Sequence, residues 1–142
     1  MFSILLKDTL SKECVPLYLS SISAGFPSPA ADYAEEGLDF NELLIHRKAS
    51  TYCLRVSGES MIGAGILPGD IIVVDRSLHP VNHDIVVAAL NGEFTVKRFF
   101  QQHRRVVLKP ENHLYPNIII GPEEDFCLFG VVTSIVRQYR KR

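Results

Sequence analysis

Ser60 and Lys97 are the residues of this chain best suited to covalent chemistry. Ser60 stands in Ser57-Gly58-Glu59-Ser60-Met61, which runs on into Leu67-Pro68-Gly69-Asp70. Lys97 ends Glu93-Phe94-Thr95-Val96-Lys97, directly after Asn91-Gly92. A serine hydroxyl attacks a carbonyl poorly unless a base removes its proton, and a lysine held neutral by burial is such a base. Serine–lysine pairs replace the serine–histidine–aspartate triad in some hydrolases. Gly58 permits a sharp turn ahead of Ser60, and such a turn aims backbone N–H groups, here those of Glu59 and Ser60, at a developing oxyanion. A third segment, Ser23-Ala24-Gly25-Phe26-Pro27, places a small residue before a glycine in what reads as an exposed, extended stretch. Each has a plain reading when taken alone: a polar loop, a solvated strand lysine and a linker.

These residues must be held by strands and turns. Tyr52, Leu54 and Val56 alternate with Cys53, Arg55 and Ser57, the period of a half-buried strand. Ile71 to Val74 is a short apolar run between Pro68-Gly69-Asp70 and Asp75. Ile85 to Leu90, Asn91-Gly92 and Glu93 to Phe100 read as a hairpin closed by a type I′ turn. Alternation puts Lys97 on one face with Thr95 and Phe99, and Phe94, Val96 and Arg98 on the other. Lys97 is a base only if its face is covered, because desolvation disfavours the ammonium. Further strands are expected at Val106–Lys109, Ile118–Ile120 and Cys127–Arg137. Upstream, Ser28-Pro29 has the order that opens a helix, expected over Ala30–Glu36 and ended by Gly37. Asp39 is expected to cap a second turn through Leu44. The expected fold is mostly β. Residues 1–24 form a flexible N-terminal arm, 25–50 a connector, and 51–142 a compact β-rich domain.

The chain has 142 residues, 46% of them apolar and 22% charged, with a net charge of −1. That suits one globular domain and gives no global basic field for nucleic acid. Arg98, Arg104 and Arg105 cluster, and the chain ends Arg137-Gln138-Tyr139-Arg140-Lys141-Arg142; a solvated surface and a frayed tail are expected there. Cys14, Cys53 and Cys127 have no metal-site spacing, and Cys53 and Cys127 are expected to be buried thiols in strands. His79 and His83 stand four apart, but Pro80 between them argues for a loop, so neither metal nor cofactor is expected. No stretch approaches the roughly 20 apolar residues of a membrane helix. Met1 to Asp8 lacks a positive charge ahead of its apolar run and does not read as a secretory signal, so a cytoplasmic protein is expected.

Taken together and in this order, these motifs resemble the LexA–UmuD family of self-cleaving proteins, and the UmuD/MucA branch in particular. The resemblance spans Ala24-Gly25 through Tyr33, Ser57 to Ile62, Gly69-Asp70, Asn91 to Lys97, and Phe129-Gly130-Val131-Val132. It implies a LexA/UmuD-like peptidase fold, with Ser60 as nucleophile, Lys97 as general base and Ala24-Gly25 as the cleaved bond. Ala24 is a departure from the best-known UmuD, which has cysteine there, and agrees with LexA; both residues are small. The resemblance further implies a homodimer and stimulation of cleavage by the RecA–single-stranded-DNA filament of the SOS response. It also implies that the shortened product joins a UmuC-type, Y-family polymerase in error-prone translesion synthesis. A self-cleaving repressor of the LexA or phage type is the nearest rival. It needs a DNA-binding domain before the cleaved bond, and the 24 residues there, with Lys7 and Lys12 against Asp8 and Glu13, are too few, so sequence-specific DNA binding is not expected. A signal peptidase also pairs serine with lysine but needs a membrane anchor. A non-enzymatic β-rich interaction module would leave Ser60 and Lys97 incidental.

Overall fold

A computed structural model of the chain describes residues 14–19, 21–26 and 35–141. Mostly antiparallel strands build it, in two compact units divided between Ile45 and His46. In the first unit, β1 (Val15–Tyr18) pairs antiparallel with β2 (Glu35–Leu38), Val15 opposite Leu38 and Tyr18 opposite Glu35. The one-turn helix α1 (Phe40–Leu44) follows, and the Asp39 carboxylate caps it by accepting from the Asn41 N–H at 2.9 Å. That cap matches expectation; the upstream helix is not found where it can be seen. Residues 28–34 lie outside the described residues, but Glu35, Glu36 and Gly37 are strand, not the last turn and stop of a helix. Pairing with β1 supplies a ladder for these backbone groups, which local helix signals cannot outweigh.

The second unit is a sheet in the order β3-β4-β9-β5-β6-β7-β8. Its strands are β3 (Thr51–Arg55), β4 (Ile71–Asp75), β5 (Ile85–Leu90), β6 (Glu93–Gln102), β7 (Arg105–Lys109), β8 (Ile118–Ile119) and β9 (Phe126–Val136). The β5–β6 hairpin turns at Asn91 (φ 50°) and Gly92 (φ 83°), the left-handed pair that a type I′ turn needs. β9 lies between β4 and β5, and its register shifts once against each neighbour. At the second shift Gly130 faces Val87, and any Cβ there would lie 2.7 Å from Val74 Cγ1 and 3.0 Å from the Asp75 carbonyl oxygen. A side chain has no room at that crossing.

Core forms on both faces of the sheet. One cluster gathers Met61, Ile66, Ile72, Val74 and Val87. The other gathers Val86, Ala88, Phe99, Leu108 and Val131. Cys53 and Cys127 are not part of either: both are exposed free thiols, contrary to expectation. Leu54 takes the inward position on β3 and Phe126 and Leu128 on β9, so alternation turns the cysteines between them outward. Arg137 is not frayed. Its guanidinium grips the Asp70 carboxylate with two bonds of 2.6 Å and donates to the Gly65 carbonyl at 2.7 Å, tying the end of β9 to the turn before β4.

Candidate active site

Ser60 sits in the loop between β3 and β4. Gly58 takes φ 84°, which turns the chain back after β3. Met61, 3% exposed, then plunges into the core and fixes where the serine stands. A 3-10 turn over Ile62–Ala64 and Gly65 at φ 80° complete the loop. Lys97 lies within β6 opposite Val86 of β5 and is only 8% exposed. Phe99 on the same face is 2% exposed, so the face that carries the lysine is covered.

The structure brings the two side chains together. Lys97 Nζ is 3.0 Å from Ser60 Oγ, 2.7 Å from Thr95 Oγ1 and 3.1 Å from the Val96 carbonyl oxygen. No carboxylate is among these partners. Burial therefore acts on Lys97 unopposed by an anion and pulls its pKa below the ordinary 10.5. Nζ donates in all three contacts, and the one to Ser60 Oγ sets this nitrogen within proton-transfer distance of the hydroxyl. Thr95 is a member of this site that sequence reading assigned no role; its place two residues before Lys97 on the same strand face was the available signal.

A second segment braces the serine loop. The Glu111 N–H donates to the Ser60 carbonyl at 2.8 Å, and the Gly63 N–H donates to the Glu111 carbonyl at 2.8 Å. Asn112 Nδ2 donates to the Glu59 carbonyl at 2.9 Å. Glu111 is itself held by Arg98, the residue after Lys97, through a 2.5 Å ion pair. Nothing in the spacing of residues 111 and 112 pointed to them. Among the described residues, the N–H groups of Glu59, Ser60 and Met61 donate to no acceptor, so the two groups expected to meet an oxyanion are unengaged.

Around the pair lies a cleft of about 400 Å³, with Leu54, Ile72, Val87 and Val96 on its apolar side and Phe94 and Tyr115 among its lining. A larger groove of about 720 Å³ runs past Phe100, His103, Arg105 and Lys109, but it has no nucleophile beside a base. Ala24 and Gly25 belong to the first unit, where both are exposed and the Gly25 N–H donates to Ser23 Oγ at 3.3 Å. Among the described residues no cluster of three or more histidine, cysteine or acidic side chains could hold a metal ion. None of their helices is long and apolar enough to cross a membrane.

A β-rich domain with a serine against a buried lysine in an apolar cleft defines the class: serine peptidase-like. The Peptidase S24-like family matches residues 16–133, and the chain belongs to that family. It is 46% identical to ImpA of Salmonella typhimurium over 132 residues, covering 89% of this chain and 86% of the relative. It is 45% identical to MucA of Salmonella typhimurium over 120 residues, covering 84% of this chain and 82% of the relative. A LexA repressor of Carboxydothermus hydrogenoformans is 41% identical over 127 residues, covering 88% of this chain and 60% of the repressor. ImpA and MucA are of the UmuD type of SOS mutagenesis protein to which the sequence resemblance pointed.

Proposed function

We propose that this chain is a serine–lysine peptidase whose substrate is its own Ala24–Gly25 bond. The observation that carries the reading is the 3.0 Å approach of Ser60 Oγ to the nitrogen of a covered lysine without an acidic partner. Neutral Lys97 takes the hydroxyl proton as Ser60 Oγ attacks the Ala24 carbonyl carbon. The carbonyl oxygen becomes an oxyanion, met by the N–H groups of Glu59 and Ser60. As the intermediate collapses, the Lys97 ammonium gives its proton to the Gly25 nitrogen, and residues 25–142 leave with a free amine. Residues 1–24 stay as an ester on Ser60. Water, deprotonated by the same lysine, hydrolyses that ester and restores the serine. In this reading 1–24 is the arm that cleavage removes, 25–50 the connector and 51–142 the peptidase domain.

A tethered bond reaches effective molarities of about 10⁵–10⁸ M, so the resting protein must keep its bond out of the cleft most of the time. A partner that binds only the cleavable arrangement raises the fraction poised to react. The UmuD-type resemblance makes that partner the RecA–single-stranded-DNA filament. It makes the product 25–142 a homodimeric, cytoplasmic subunit of a UmuC-type translesion polymerase. The test is intact-mass spectrometry of the purified chain, incubated with RecA, single-stranded DNA and nucleotide, and separately alone at alkaline pH. Fragments 1–24 and 25–142 are expected from wild type and absent from Ser60→Ala and Lys97→Ala. An unbroken, folded wild-type chain under both conditions overturns the reading.

A further inference from the structure

We infer that Asn112 is a positioning residue for the oxyanion site of the serine loop, acting through the Glu59 carbonyl. The inference rests on the serine–lysine reading above. A peptide unit is planar and trans, so its C=O and N–H point in opposite directions. The Glu59 carbonyl and the Ser60 N–H belong to one such unit. Holding the carbonyl on one side therefore aims the N–H to the other.

The Glu59 carbonyl has a weak local partner, the Ile62 N–H at 3.4 Å. Its short bond, 2.9 Å, comes from Asn112 Nδ2, which is 53 residues away in sequence. The orientation of the Asn112 amide is set by its other end, because Oδ1 accepts from the Leu114 N–H at 3.0 Å. That leaves the NH₂ group toward Glu59. Asparagine alone among residues of this size offers an acceptor to Leu114 and a donor to Glu59 at once. Aspartate would keep the Leu114 contact and set an acceptor against a carbonyl. The next peptide unit is braced in the same way: the Glu111 N–H holds the Ser60 carbonyl, so the Met61 N–H is aimed too. Glycine at position 63 lets the two backbones come this close: any Cβ there would lie 2.5 Å from the Glu111 carbonyl oxygen, to which the Gly63 N–H donates at 2.8 Å. Arg98 anchors Glu111 to the strand that carries Lys97, so nucleophile loop and base strand are held by one connected set of bonds.

The test compares self-cleavage of wild type, Asn112→Ala, Asn112→Asp and the neighbouring exposed His113→Ala in the full chain between pH 7 and 11, alongside labelling by a fluorophosphonate probe. In labelling, Ser60 Oγ displaces fluoride and the phosphoryl oxygen occupies the oxyanion position. Losing a whole oxyanion donor slows such enzymes by about 10²–10³, so losing the group that aims one is expected to lower the plateau rate about 10–100-fold. The midpoint of the Asn112→Ala pH profile is expected to stay at the wild-type value, because that midpoint belongs to Lys97. Labelling is expected to slow in parallel, and His113→Ala to match wild type. A wild-type plateau in Asn112→Ala and Asn112→Asp overturns the inference while leaving the dyad standing. So does a lower plateau that comes with a displaced midpoint in Asn112→Ala. If Asn112→Ala melts early, Asn112→Asp, which keeps the Leu114 contact, decides. A folded wild type that neither cleaves nor takes the label removes the serine–lysine reading itself, and the positioning role with it.

Discussion

Lys97 makes a quantitative demand on the pH dependence of cleavage. An unperturbed lysine, with a pKa of about 10.4, is neutral in only about one molecule in a thousand at pH 7.5. Burial against Ser60, Thr95 and Val96 lowers the pKa of Lys97, so its neutral fraction is larger than that, but below the folded pKa it still rises tenfold per pH unit. Cleavage of the purified chain without any partner is therefore expected to accelerate about tenfold per unit and level off at a pH under 10.5. Lys97→Arg places a group there that stays charged throughout this range, and the missing base is expected to slow the plateau by about 10²–10⁴ and abolish the slope. The assay is loss of intact mass with time at fixed ionic strength, with circular dichroism at each pH to confirm the fold. A wild-type rate that does not change between pH 7 and 10, or a slope retained by Lys97→Arg, would refute the assignment of the base.

The same burial has a thermodynamic sign. Because the folded pKa lies below 10.5, the unfolded chain holds a proton that the folded chain has lost within that window, and wild-type stability rises with pH across it. Lys97→Met is accordingly expected to melt higher than wild type near neutral pH, with the gap closing toward pH 10.5; a gap that widens in thermal melts would contradict this. Asp70 gives the same sign in the acid range, here from a favourable contact rather than from burial: its bond to Arg137, helped by the Leu67 N–H, lowers its pKa from 3.8 to about 2. Its contribution is complete above pH 3.8 and drains away as pH falls toward 2, so Asp70→Asn should flatten the acid limb of a plot of melting temperature against pH. Gly130→Ala forces a Cβ to 2.7 Å from the buried Val74 Cγ1, and overpacking of that kind costs about 1–3 kcal/mol. Differential scanning calorimetry should record a fall of roughly 3–10 °C, and an unchanged melting temperature would show that β9 can shift to make room.

Local chemistry made much of the second unit legible. Asn91-Gly92 announced its turn, and the apolar runs announced β4, β5 and β9, because each signal acts on its immediate neighbours. Ser60 and Lys97 were visible as motifs, yet their 37-residue separation hid the 3.0 Å contact, which depends on the covered face around Phe99. Asn112 was invisible for a stronger reason: it acts on a backbone carbonyl, and a carbonyl is present at every position whatever the side chain. The helix expected over Ala30–Glu36 misled at its visible end because β1 competes for the same backbone. The cysteines misled because a thiol fits either face of a strand, and the larger neighbours Leu54, Phe126 and Leu128 took the inner one.

The pairing of β1 with β2 gives the proposed cleavage a direction in time. The segment that joins these two strands contains Ala24–Gly25, so in the intact chain β1 finds β2 at an effective concentration in the mM range. On the proposed cleavage, β1 passes to a separate peptide, and among the described residues its pairing with β2 is a four-residue ladder whose side chains Val15, Leu17 and Tyr18 are 46%, 41% and 59% exposed. A short two-stranded pair of that kind does not persist in dilute solution. On that reading, once β1 leaves, the Glu35–Leu38 edge loses its neighbour and the reverse reaction has no second reactant nearby. The proposed break would thus work as a ratchet: loss of the tether, more than the hydrolysis of one amide, would prevent the chain from returning to its earlier state.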